Sequence, residues 1–150
     1  MNLKFEKRVD YEVAYEEYKK VANYLNKKDY QYTKVGSLRR KRDTIGDIDI
    51  LIKGNKNEVY SYIMNYSEVI KKITEDTFLL KSGIELQIIA EKENFTYTKW
   101  VTTGSKKHIK KIEEIYDEKG LKINKKIEDE KEIYERIGQK YLEPKKRNEL

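Results

Sequence analysis

The chain contains no cysteine, which excludes disulfides and thiolate zinc sites and removes any side-chain clue to redox compartment. Histidine occurs once, as His108, and a lone histidine is more often a surface or helix-start residue than a catalyst. Long apolar runs are also missing: the longest span a few residues, far short of the roughly 20 that cross a bilayer. Residues 1–10 carry Lys4, Glu6, Lys7, Arg8 and Asp10 without an apolar stretch, and so read as neither secretory signal nor anchor. A cytoplasmic protein with no membrane partner is the expectation. No internal repeat or low-complexity linker interrupts the sequence.

What is present points to one compact body. A chain of 150 residues can bury one sizeable core or two small lobes. The charged fraction, 40%, slightly exceeds the hydrophobic fraction of 37%; because the Tyr, Ile, Val and Leu residues fall in periodic runs, the chain reads as folded rather than disordered. A net charge of +6 and a pI near 9.2 create a field that attracts polyanions, nucleic acid or anionic membrane alike.

The periodicities lay out an α+β order. Tyr11, Ala14, Tyr15, Tyr18, Val21, Ala22 and Leu25 repeat at helical spacing behind Asp10 as N-cap. Residues 30–35 read as a strand running into a Gly36-Ser37 turn and a basic stretch, Leu38 to Arg42. In residues 46–52, Ile48, Ile50 and Ile52 alternate with Asp47 and Asp49, so one strand face is buried and the other presents two carboxylates. A short helix over 58–66 follows, then a meander of strands over 69–74, 77–80 and 84–90. In the last of these Glu85 and Gln87 stand opposite Ile84, Leu86 and Ile88. Two helices close the chain, over 105–119 with Gly120 behind it and from Asp129 to Gly138. This pattern predicts a mixed sheet with helices over residues 1–103 and a smaller helical lobe over 104–150.

Two carboxylates at i and i+2 on one strand face lie about 6 to 7 Å apart at their backbones, close enough to grip two metal ions separated by roughly 3.5 to 4 Å. Glu85 on a neighbouring strand would complete the cage. Phosphoryl transfer calls for such a cage because charge gathers on the transferred phosphate and on the attacking and leaving oxygens, and hard oxygen ligands select Mg²⁺ or Mn²⁺. Upstream, Gly36, Ser37, Arg39 and Arg40 combine close backbone approach, a hydroxyl and guanidinium forks suited to phosphates. An Asp-x-Asp alone often only faces solvent; a Gly-Ser ten residues ahead of Gly-Asp-x-Asp is far more specific.

At this point the chain resembles family X DNA polymerases. The likeness rests on Val35-Gly36-Ser37-Leu38-Arg39-Arg40, Gly46-Asp47-Ile48-Asp49, Thr103-Gly104-Ser105-Lys106-Lys107-His108, Lys119-Gly120-Leu121-Lys122-Ile123-Asn124 and the tail Tyr141-Leu142-Glu143-Pro144-Lys145. These motifs follow the family's order from about residue 10 to residue 147. The resemblance implies a nucleotidyltransferase palm, then a thumb that closes over the nascent base pair. It implies Asp47, Asp49 and Glu85 as catalytic ligands of two Mg²⁺ or Mn²⁺ ions, and Gly36, Ser37, Arg40, Gly46, Gly104 and Ser105 as nucleotide-binding positions. Lys106, Lys107, His108 and Lys110 are the candidate nucleic-acid contacts. The implied partners are deoxynucleoside triphosphates and DNA, either primer/template or gapped, acted on by a monomer, with gap filling in DNA repair as the implied role.

Departures from the family carry expectations of their own. Glu85 stands where relatives carry Asp, and its extra methylene implies altered metal spacing, slower turnover or a Mn²⁺ preference. Val101-Thr102 replace an aromatic pair, which bears on discrimination against ribonucleotides, and Ile109 and Glu113 replace Asn and Arg, which implies weak fidelity. The family's amino-terminal lyase region and carboxy-terminal phosphoesterase have no counterpart in these residues, so no deoxyribose-phosphate lyase activity is expected. Template-independent or other nucleotidyl transfer, and a catalytically weak nucleic-acid-binding relative, stay open as alternatives.

Overall fold

The structure is a computed structural model and describes residues 8–148; most of the amino-terminal segment read above as neither signal nor anchor lies outside the described residues. The chain runs β1 (Val9–Asp10), α1 (Tyr11–Asn26), β2 (Tyr32–Val35), α2 (Gly36–Arg39), β3 (Thr44–Ile45), β4 (Asp47–Lys53), α3 (Lys56–Met64), β5 (Val69–Thr74), β6 (Thr77–Leu80), β7 (Glu85–Glu91), α4 (Phe95–Thr103), α5 (Lys106–Glu118), α6 (Lys131–Glu135) and a final 3₁₀ turn, Pro144–Lys146. Five strands form a mixed sheet in the order β2-β4-β7-β6-β5, and β1 pairs with β3 in a separate ribbon. Only β4 and β7 run parallel; the other neighbours are antiparallel. The expected α+β class is therefore observed, as a mixed five-stranded sheet flanked by helices. Among the described residues no helix is long and apolar enough to cross a membrane.

The period-2 alternation builds the sheet's two faces. Ile48, Ile50, Ile52, Leu86 and Ile88 are fully buried and pack with Ala14, Val21 and Leu25 of α1 and Val59 and Ile63 of α3. Each such side chain withdrawn from water contributes about 1.5–3 kcal/mol before chain entropy is charged against it. Asn55 caps α3, its Oδ1 accepting from the Asn57 and Glu58 amides. Asp10 precedes α1 as expected but makes no side-chain cap; its backbone pairs with Thr44 of β3.

Three local expectations change. The Gly36-Ser37 turn is the start of a four-residue helix, α2. Residues 95–103, unassigned from the pattern, form α4, whose Trp100 is completely buried; two hydroxyl-bearing threonines at its end blur the helical period, yet Thr102 and Thr103 bond back to the Thr98 and Lys99 carbonyls and so fit a helix. The last helix begins at Lys131 with Glu130 as N-cap, although Asp129 still serves its start by accepting from the Lys131 amide at 2.9 Å.

A second core gathers Trp100, Ile109, Ile112, Tyr116, Ile127, Ile133, Tyr134 and Ile137. Inside it, Trp100 Nε1 donates to the Tyr134 hydroxyl at 3.0 Å, and His108 Nε2 lies 2.8 Å from the same oxygen. His108 is 1% exposed and its Nδ1 has no partner. Burial first, then the charges of Arg147 and Lys111, push its pKa down to about 4. Because the unfolded chain takes up this proton near its ordinary pKa of 6.5 and the folded chain only near 4, stability should fall as pH drops through that window. At about 1.4 kcal/mol per unit the loss is on the order of 3 kcal/mol. Urea titrations between pH 7.5 and 4 should show His108→Phe losing less stability than wild type; parallel pH curves would reject the assignment.

Candidate active site

Strand β4 carries the acidic pair. Asp47 is exposed at its start and Asp49 half-buried two residues on, both on the face opposite Ile48 and Ile50. The parallel register sets Asp47 against Glu85 and Asp49 against Gln87 of β7, so all three carboxylates share one face of adjacent strands. Among the described residues no group of three or more His, Cys, Asp or Glu that could hold a metal ion is formed; the structure brings the three candidates onto neighbouring strands without drawing them into a closed cage.

Asp49 is the most perturbed member of this set. Its Oδ1 is buried and has no hydrogen-bond partner. Burial, and next the Asp47 charge, raise its pKa to about 7 against the opposing pull of Arg40. A buried carboxylate oxygen without a donor is costly unless a proton or a cation satisfies it. The donor set is all oxygen, hard and anionic, a chemistry that suits Mg²⁺ or Mn²⁺ rather than softer metals.

The backbone around Asp49 is built for close approach. Gly36, the first residue of α2, has φ +62°, and a Cβ there would fall 2.3 Å from Asp49 Oδ2. Any side chain would collide with the carboxylate and strain the backbone as well, so glycine is required twice over. Val35, the preceding residue, is the register partner of Asp49, which places α2 and its Ser37 beside the acidic face. Gly46 immediately precedes Asp47.

Arg40 follows α2 and is half-engaged. Its Nη1 donates to the Thr103 carbonyl at 2.5 Å and its Nε to Asn148 Oδ1 at 2.8 Å. A Cβ at Gly104, φ +72°, would stand 3.0 Å from that Nη1. Ser105 then caps α5, its hydroxyl accepting from the His108 amide at 3.3 Å. The Gly104–Ser105 peptide is cis. Sequence spacing alone had no way to bring Thr103 and Asn148 against Arg40.

Residues 8–143 match the family model described as DNA polymerase beta palm. The chain belongs to that family. No curated protein matches it. As a DNA polymerase beta palm protein it has the family's nucleotidyltransferase fold, and its acidic strand, Gly-Ser turn and helices α5 and α6 all fall within the matched residues.

The basic candidates divide by exposure. Lys106, Lys107 and Lys110 are exposed on α5. His108, grouped with them from its neighbours, is turned inward against Tyr134, because position 108 falls on the apolar stripe of the helix with Ile109 and Ile112. Arg147, part of a basic run at the carboxy terminus, is likewise completely buried. It binds Glu130 at 3.3 Å, and Arg39 reaches the same carboxylate through two bonds of 2.9 and 2.8 Å. Arg39, the neighbour of Arg40, is thus a strut between α2 and the second core. Ile109 is 8% exposed and packs in that core.

Proposed function

We propose that this nucleotidyltransferase is a small DNA polymerase that adds deoxynucleotides to a primer 3′-hydroxyl, filling short gaps, with residues 1–103 as palm and 104–150 as thumb. The observation that carries the reading is the buried, partnerless Asp49 oxygen beside the glycine that no other residue could replace. Asp47 and Asp49 would hold two divalent cations, with Glu85 reaching in from β7. When bound, such ions lower the pKa of the attacking hydroxyl and neutralise charge on the triphosphate.

The chain's own groups bind and orient. The Gly36 backbone admits a phosphate close to β4, the Ser37 hydroxyl offers a donor, and the remaining Arg40 nitrogen offers a charged one. Gly104 and Ser105 flank the nucleotide sugar, and Lys106, Lys107 and Lys110 supply phosphate contacts to the duplex, which set position and salt dependence rather than sequence.

Extension of a labelled primer in Mg²⁺ or Mn²⁺, with and without template, tests this reading. Template-directed addition and pyrophosphate release are the expected result. Addition indifferent to template would make the protein a terminal transferase, and DNA binding without any addition would leave it a non-catalytic relative.

A further inference from the structure

Among the described residues, three of the four exposed large apolar side chains fall in one corner of the fold. Ile70 is 56% and Ile73 44% exposed on β5, and Met64, 43% exposed, ends α3, the helix that leads into that strand. Apolar residues scattered singly over a surface are ordinary, whereas a group of them marks a contact. β5 is also the last strand of its sheet, in the order β2-β4-β7-β6-β5, and five of its six residues are exposed. The opposite edge, β2, differs: all of its residues are half-buried or buried. β5 is thus an open edge, with no strand on its outer side among the described residues and backbone groups available for pairing.

Charge decides what such an edge accepts. β5 pairs with β6 through Lys71–Leu79 and Lys72–Phe78, and Ile70 and Ile73 fall at the register shifts that interrupt this ladder. Lys72 shares a face with the buried Phe78, and its ammonium stands 6.0 Å from the Tyr60 ring of α3. Lys71 shares the other face with Leu79 and, one strand further, Glu85. Both lysines are exposed, and neither forms an ion pair among the described residues. Two of the three acids that flank the strand are engaged elsewhere: Glu68 by Lys81 at 3.7 Å, and Asp76 by the Thr74 and Thr77 hydroxyls at 2.9 and 3.1 Å. The third, Glu75, sits in the hairpin turn.

A second copy of the chain suits this edge poorly. Antiparallel pairing of β5 with itself would set the lysines of one chain against those of the other, and like charges directly opposite destabilise a strand pair. Nucleic acid supplies negative charge but no apolar side chains for Ile70 and Ile73. We propose that β5 is a docking edge for an extended acidic segment of a partner protein, which adds to the sheet as a further strand and sets two consecutive acids, flanked by apolar residues, against Ile70-Lys71-Lys72-Ile73. Main-chain hydrogen bonds hold the segment, and the lysines select it. β7 and β6 separate this edge from β4, so the docking stands or falls apart from the catalytic reading above.

A labelled peptide of about ten residues, the length of a long strand, blocked at both ends and carrying two acids between valines, is titrated against the full chain. Its counterpart with lysines in place of the acids, and gapped DNA, are the comparators. The variants are Lys71→Glu/Lys72→Glu and Ile70→Thr/Ile73→Thr, the latter at exposed positions that β-prone threonine can occupy; thermal melts check their folding. The acidic probe should bind saturably and about tenfold or more tighter than the lysine probe, and amide exchange over residues 69–74 should slow when it is bound. Charge reversal should invert the preference, which a loss of stability cannot do, and the threonine variant should bind neither probe. Absent or equal binding of the two peptides overturns the proposal, as does binding that leaves the β5 amides unprotected. DNA binding weakened by charge reversal, with no preference between the peptides, would overturn it by assigning the lysines to nucleic acid. A dimer that the threonine variant dissolves would overturn it by making a second copy the occupant.

Discussion

Asp49→Asn should lower nucleotide transfer by about a thousandfold or more, while leaving a protein that folds at least as well as wild type. The isosteric amide keeps the shape beside Gly36 but removes the charge that a cation needs; a loss of several kcal/mol of transition-state stabilisation is a factor of ten for every 1.36 kcal/mol. The same change has a separate signature without metal. With its pKa raised to about 7 from 3.8, the folded Asp49 keeps a proton that the unfolded chain has already released. Its contribution to stability therefore declines as pH rises from about 4 to about 7 and levels off above that. In the variant that decline should vanish, and the stabilisation that Mg²⁺ confers on wild type at pH 8 should vanish with it. Single-turnover extension together with thermal melts at several pH values reads both effects. Unchanged turnover would remove Asp49 from the chemistry, and an unchanged pH profile would show that its carboxylate is not desolvated in solution.

Glu130→Ala carries the second large effect, this time on folding. Glu130 is 4% exposed and Arg147 completely buried, with Arg39 closing the triad from α2. Burial by itself would raise the Glu130 pKa, but the hydrogen bond from Arg39 and the charges of Arg147 and Arg39 outweigh it and bring it below the ordinary carboxylate value. Truncation leaves Arg147 charged, dry and without its acid, which costs about 3–5 kcal/mol for a buried pair broken from one side. Arg147→Met added to Glu130→Ala should restore part of that loss, because it removes the stranded charge. Denaturant unfolding of the two variants is the check; a loss under about 1 kcal/mol, the range of exposed pairs, would mean water reaches the triad. The depressed pKa also means that the triad's stability is present above the unfolded carboxylate's pKa and is lost as pH falls through the folded one. This adds to the His108 effect and opposes that of Asp49.

Legibility followed periodicity. The alternation of Ile48, Ile50 and Ile52 with Asp47 and Asp49 identified the acidic strand and its buried face, because a strand's side-chain period is strictly two. Ser105 and Gly120 likewise marked the ends of α5, through a hydroxyl that accepts an amide and a glycine at φ +66°. The helix over residues 95–103 escaped because its terminal threonines look strand-like, while its Trp100 packs completely buried in the second core. His108 was grouped with its basic neighbours by proximity along the chain. On an α-helix adjacent residues point about 100° apart, so His108 turned inward while Lys107 did not.

What the sequence determined by itself were the long periodic elements, the polar and apolar faces and the spacing of the Gly-Ser and Asp-x-Asp residues, all of which depend on neighbours within a few positions. Tertiary structure alone decided the Asp47–Glu85 register, the orphaned oxygen of Asp49, the seating of Arg40 against Thr103 and Asn148, and the Arg39–Glu130–Arg147 strut. The physical reason is that burial and partner choice depend on which distant segments exclude water from a group, and no local pattern encodes that exclusion.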